Sequence, residues 1–273
     1  MAGRHKDISG QGASPSDAAR GVDMASGEPA FRFLGSLAHG VNVAFTRRDF
    51  RAQAKVPATG GALVVANHNS NFDPLVIGDY LIWAGRWPRF LGKAELWKVP
   101  VVGFFARGCR QIPVERGTSH AVDSLKAAKD AIDAGEMVAI YPEGTVGTDP
   151  EGWPMTARSG AARLALQLRC PVIPVGQWGA QEIIGKKVTA PKFFPRKTVK
   201  VLAGDPVDLS DLYDAADQHA AVRVATERIM SAITELVGEL RGLPVPADRY
   251  DVRKKARVPL GPTVLESVAD DQS

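Results

Sequence analysis

The chain has 273 residues, 45% hydrophobic and 23% charged, enough apolar material for one large α/β domain or two small ones. Its two cysteines, Cys109 and Cys170, exclude a disulfide framework and a cysteine zinc site, and no stretch reaches the roughly 20 apolar residues that span a bilayer. The net charge of +4 is local: residues 29 to 57 hold Arg32, Arg47, Arg48, Arg51 and Lys55 against Asp49 alone.

In chain order, residues 1–28 are small and polar, with neither a hydrophobic core nor the apolar stretch of a secretory signal, and read as a disordered tail. Residues 30–46 read as an amphipathic helix: Phe33, Leu37, Val41 and Phe45 fall on one stripe, with Arg32, Ser36, His39, Asn42 and Thr46 opposite. With its basic end it forms a unit over 29–57, either an anchor on an anionic membrane surface or a helix that packs on the domain. Strands are expected at 61–66, 88–92, 109–114, 137–141, 171–176 and 197–202, and helices at 74–84, 100–107, 119–134 and 158–169. That alternation predicts an α/β fold, a mostly parallel sheet flanked by helices, within a domain spanning 58–243. A long helix is expected over 213–241, and 244–273 reads as a Pro-rich, charged tail.

Two polar clusters follow apolar runs. Ala62–Ala66 leads into Asn67-His68-Asn69-Ser70-Asn71-Phe72-Asp73, and Met137–Ile140 leads into Tyr141-Pro142-Glu143-Gly144-Thr145. Two such clusters at two strand ends point to one site at one sheet edge. The five-residue spacing lets a tight turn bring the Asp73 carboxylate onto one nitrogen of His68, leaving the other as a general base. Asp73 before Pro74 also suits a helix N-cap, and His68 alone suits a structural histidine. Gly144 permits a tight turn with backbone amides close to an anion, Thr145 adds a hydroxyl donor, and Glu143 suits orienting an arginine or accepting a substrate hydroxyl. Arg116 suits bidentate contact with a phosphate, or a surface pair with Glu115. The aromatics Trp83, Trp87, Trp97, Phe104 and Phe105 read as an acyl-chain pocket or as ordinary core. The five histidines are scattered without metal-ligand spacing, and neither a Walker nor a dinucleotide fingerprint occurs; no metal and no nucleic-acid partner is expected.

Four blocks in this order resemble the glycerolipid acyltransferases, the 1-acyl-glycerol-3-phosphate acyltransferase family. They are His68 to Asp73, Gly108 to Arg116, Pro142 to Thr145, and Pro171-Val172-Ile173-Pro174-Val175, and the resemblance covers roughly 60–205. It implies an acyltransferase fold and transfer of a fatty acyl group to a hydroxyl of lysophosphatidate. The donor is acyl-CoA or an acyl carrier protein thioester, acting as co-substrate, with no cofactor. His68 and Asp73 are then catalytic, and Arg116, Glu143, Gly144 and Thr145 bind the phosphate-bearing acceptor. Lys93 matches a recurrent family lysine at the same anion site, though a solvated lysine reads equally. Val146 stands where the family usually has Arg, and Arg158, opening the next helix, is the candidate to replace it. Glycerol-3-phosphate or another lysolipid or glycolipid acceptor, and a non-catalytic lipid-binding protein, are the alternatives. The expected location is cytoplasmic, peripheral on the inner face of the cell membrane.

Overall fold

Strand β2 (Ala62–Ala66) is buried along its whole length in the computed structural model, which describes residues 29–114, 121–185 and 190–265. A strand covered on both faces needs apolar residues at every position rather than at alternate ones, which is what Ala-Leu-Val-Val-Ala supplies. It centres a seven-stranded sheet ordered β1-β7-β6-β2-β5-β3-β4. The other strands are β1 (Thr46–Arg51), β3 (Pro88–Lys93), β4 (Ile112–Val114), β5 (Met137–Ile140), β6 (Val172–Trp178) and β7 (Lys197–Ala203). The five strands from β6 to β4 run parallel, with Leu63 opposite Val138 on one side and Val172 on the other. Their C-terminal ends therefore share one edge of the sheet. Strand β7 is antiparallel to β6 and parallel to β1. No α-helix lies between β6 and β7 among the described residues, so the chain turns back instead of crossing over.

Helices cover both faces. Leu63 and Val65 of β2 meet α4 (Ala121–Asp133), α5 (Gly160–Leu168) and α6 (Gln218–Arg241) through Ala128, Leu164 and Ile233. Val64 and Ala66 point the other way, to α2 (Asp73–Trp83) with Ile77, Tyr80 and Leu81. α6 starts five residues later than the periodicity predicts, because Asp217 caps it by accepting from the amides of His219 and Ala220. Strand β4 is shorter than expected because Cys109 to Gln111 finish α3 (Pro100–Gly108): the Cys109 amide bonds Phe105 O at 2.8 Å, and Arg110 turns left-handed.

The 29–57 unit departs from expectation. Helix α1 (Pro29–Phe45) stops before Thr46, and its basic extension is the edge strand β1 rather than more helix. The helix docks by its polar side together with Val41, which packs on the core, and Phe45, which packs on Phe193. Asn42 is fully buried and donates to Leu75 O at 3.0 Å, and His39 Nδ1 lies 2.9 Å from the buried Asp79 carboxylate. Gly35 lets the helix come against the Trp87 ring, where a Cβ would sit 2.4 Å from the indole. Phe33 and Leu37, 66% and 46% exposed, face away from the domain. Arg48 lies over the Phe50 and Trp83 rings and bonds Asp79, Arg51 pairs with Asp49, and Lys55 pairs with Asp205.

The tail expected from 244 onward contains a hairpin, β8 (Asp248–Asp251) and β9 (Ala256–Pro259), folded onto the domain. Its inward arginines, discussed below, find carboxylates there. Residues 1–28 and 266–273 lie outside the described residues.

Candidate active site

The turn after β2 winds back on itself. Asp73 opens α2, but its side chain makes no capping bond to the helix; Phe72 holds the cap position. The carboxylate points back instead. Its Oδ2 accepts from the amides of Asn69 at 2.6 Å and Ser70 at 2.8 Å, and lies 2.9 Å from His68 Nδ1. Asp73 is completely buried, whereas the His68 side chain keeps 16% of its surface. No described group bonds His68 Nε2. Burial raises the Asp73 pKa above the ordinary carboxylate value, and the His68 ring and the two amides pull it down. Three N–H donors on one oxygen favour the carboxylate, so Nδ1 carries the proton and Nε2 is the basic nitrogen.

Two features hold this turn. Asn67 and Gln177 exchange three bonds: Asn67 Nδ2 to Gln177 O at 3.0 Å, Gln177 N to Asn67 Oδ1 at 2.8 Å, and Gln177 Nε2 to Asn67 O at 2.7 Å. They tie the end of β2 to the end of β6. The Tyr141 ring stacks on the His68 ring, centroids 4.2 Å apart and 17° between planes, and Phe90 stacks behind Tyr141 at 6.0 Å. Sequence reasoning assigned none of these four residues a role. For Tyr141 a signal existed, since it directly follows the strand beside β2.

Glu143 does something other than expected. It is 4% exposed; Oε1 accepts the His68 amide at 2.8 Å and Oε2 the Met155 amide at 3.1 Å. Both oxygens are engaged by backbone, so Glu143 positions the base's main chain rather than contacting an acceptor or an arginine. Burial pushes its carboxyl up to about 8; the two amides oppose this, the Asp73 charge adds to it, and Arg249 opposes it. Gly144 takes φ +70°, and a Cβ there would meet the Arg158 side chain at 2.9 Å. Arg158 thus lies across the turn, with no ion pair for its guanidinium among the described residues. Thr145 beside it is exposed. Gly147 donates to His68 O at 2.6 Å, closing this loop onto the base.

Lys93 ends β3 on the same sheet edge, but is 54% exposed and 3.6 Å from Glu95. Arg116 lies outside the described residues, two positions beyond the end of β4. The expected aromatic pocket is divided. Trp83 donates to His39 at 2.7 Å and Trp87 backs Gly35, both docking α1; Trp97 packs over Gly92, and Phe104 is 68% exposed. Among the described residues there is no cluster of three or more His, Cys, Asp or Glu suited to a metal.

A base held by a buried carboxylate at a parallel sheet edge, beside a glycine turn crossed by an arginine, suits proton transfer next to an anionic ligand. The profile of the family described as Acyltransferase matches residues 47–178, from β1 to the end of β6. The chain carries an acyltransferase domain over these residues. A chloroplastic 1-acyl-sn-glycerol-3-phosphate acyltransferase from Brassica napus is 27% identical over 51% of this chain and 40% of its own length. The 1-acyl-sn-glycerol-3-phosphate acyltransferase of Helicobacter pylori is 29% identical over 43% of this chain and 48% of its own. The chain therefore spans less than half the length of these relatives. The crystal structure of the 1-acyl-sn-glycerophosphate acyltransferase PlsC from Thermotoga maritima shares the fold, with a TM-score of 0.60 and 22% identity over 83% of this chain and 88% of that one. The sheet edge that bears His68 and Glu143 lies within the matched segment, whereas α1, β7, α6 and the hairpin lie outside it.

Proposed function

We propose that this chain is an O-acyltransferase that moves a fatty acyl group from a CoA or acyl carrier protein thioester to a hydroxyl of a glycerol-phosphate lipid, with lysophosphatidate as acceptor and phosphatidate as product. The observation that carries this reading is the His68–Asp73 pair, closed at Nδ1 by a 2.9 Å contact and open at Nε2. The acceptor hydroxyl gives its proton to Nε2 as its oxygen attacks the thioester carbonyl. The tetrahedral adduct then expels the thiolate, which takes the proton back from the imidazolium. The hydroxyl is itself the nucleophile, so no acyl-enzyme is needed. Asp73 stabilises the imidazolium while it lasts.

The acceptor's phosphate is assigned to the Gly144–Thr145 turn and Arg158, joined by Lys93 at the end of β3; Arg116 is assigned to the same anion by the family resemblance. Arg158 takes the place that Val146 leaves. An anionic lipid surface is the proposed partner, supported by Phe33 and Leu37, which α1 turns away from the domain, and by Val101 and Phe104 on α3, 66% and 68% exposed. Helices α1 and α3 are in contact, and Lys98 and Arg107 flank the α3 residues. No helix among the described residues is long and apolar enough to cross a membrane.

Free thiol released from acyl-CoA or acyl carrier protein, with and without each of a panel of acceptors, tests the reading. Release that depends on lysophosphatidate supports it. Release only with glycerol-3-phosphate or another lysolipid moves the acceptor assignment, and lipid binding without any release makes the chain a binder.

A further inference from the structure

The loop of residues 147–158 ties the catalytic turn to the far C-terminal part of the chain. On its inner side Gly147 bonds His68 O, Asn69 Nδ2 donates to Gly152 O at 3.1 Å, and the Met155 amide donates to Glu143. Arg158 ends it. Its outer side is held almost entirely from beyond residue 240. Arg257 of β9 reaches Asp149 Oδ1 at 2.8 Å, while Asp149 Oδ2 accepts the Trp153 amide at 2.8 Å. The Asp149 side chain is fully buried. The Thr156 amide donates to Tyr250 O of β8 at 3.0 Å. Arg241, at the end of α6, lies between the Trp153 and Trp178 rings, 4.2 Å from each centroid. The hairpin has its own footing: Arg249 meets both Glu227 oxygens at 2.7 Å in a buried pair on α6.

We infer that the β8–β9 hairpin is a positioning element of the active site, with Arg257 as the positioning residue: through Asp149 it fixes the loop that holds Glu143 and presents Arg158 to the acceptor. A buried carboxylate that loses its paired guanidinium must find another partner or open to water, and here opening moves the loop. Arg257 also bonds Asp248 at 2.8 Å, so one guanidinium braces the hairpin and the loop together. This assignment rests on the acyl-transfer reading only for its kinetic readout.

The test compares wild type with Arg257→Gln, Arg257→Lys and, as a control on the exposed hairpin turn, Arg253→Gln. Amide hydrogen exchange is followed over 147–158 in the folded proteins, alongside KM for acceptor and donor and kcat. Arg257→Gln is expected to speed exchange at Trp153, Met155 and Thr156. The acceptor KM should rise about tenfold, the size of one lost charge-assisted bond, with the donor KM within about twofold. Arg257→Lys should restore most of both, and Arg253→Gln should match wild type. Unchanged exchange in the loop overturns the proposal. So does a fall in kcat with both KM values unchanged, which would mean only lost active protein. A wild-type chain that transfers no acyl group would instead sink the preceding section's reading, and the exchange measurement would then decide this one by itself.

Discussion

Asp73 Oδ2 receives three N–H groups, and that crowding decides what a substitution does. In Asp73→Asn the amide oxygen can still accept from Asn69 and Ser70, but it no longer stabilises an imidazolium. His68→Ala removes the base and leaves the turn's backbone bonds in place. Both variants should fold and lose about 10²- to 10⁴-fold in acceptor-dependent thiol release. A His68→Ala protein with more than about a tenth of wild-type turnover would end the base assignment. Glu143 carries a pH prediction. Its folded pKa of about 8 lies above the ordinary 4.5, so the fold prefers the protonated form. The stability it contributes is full below the unfolded pKa and is lost as pH rises through the folded one. Melting temperatures taken across pH 4.5 to 8 should therefore fall more steeply for wild type than for Glu143→Gln; parallel curves would mean that the carboxyl stays ionised throughout. His68 and Asp73 were legible because their partnership is local, five residues apart. The role of Glu143 was not, since the amide it holds at His68 lies 75 residues back.

Among the elements, α1 shows why periodicity finds a helix without finding its inner side. Its apolar stripe was legible, and Val41 and Phe45 of it do pack, on the core and on Phe193, yet the buried positions are Gly35, Asn42 and Thr46, with the half-buried His39 beside them, because Asp79, Leu75 O and the Trp87 ring await them there. No rule that sends apolar residues inward anticipates this. The same blindness hid β1, whose run of arginines hydrogen-bonds to β7 while Arg48 finds Asp79. The central strands, with buried apolar runs and regular spacing, were read almost to the residue. The outward stripe makes a prediction. Phe33→Glu and Phe104→Glu, at exposed positions, should leave the melting temperature unchanged and reduce co-sedimentation with anionic vesicles. Charge reversal at Arg47, the exposed arginine of β1 that makes no ion pair among the described residues, should weaken binding only at low salt. Binding that survives both aromatic substitutions would remove α1 and α3 from the membrane contact.

At the scale of the whole molecule, α6 braces the sheet behind the site. Ile229 and Ile233 are only 1% and 0% exposed, packed against α5 and β2. Replacing either by Ala should cost about 2–5 kcal/mol in denaturant unfolding, since it removes buried methylenes and leaves a cavity. A loss below about 1 kcal/mol would show that the helix can collapse into the gap. The order of the strands has another consequence, in time rather than in space. The edge strand β1 can pair only with β7, and Lys55 just after it meets Asp205, 150 residues downstream. A ribosome needs on the order of 10 s to add that much chain. Throughout that interval the strand has no mate, and the helix ahead of it holds its apolar side open. Vectorial synthesis therefore offers α1 to a lipid surface before the sheet behind it can close.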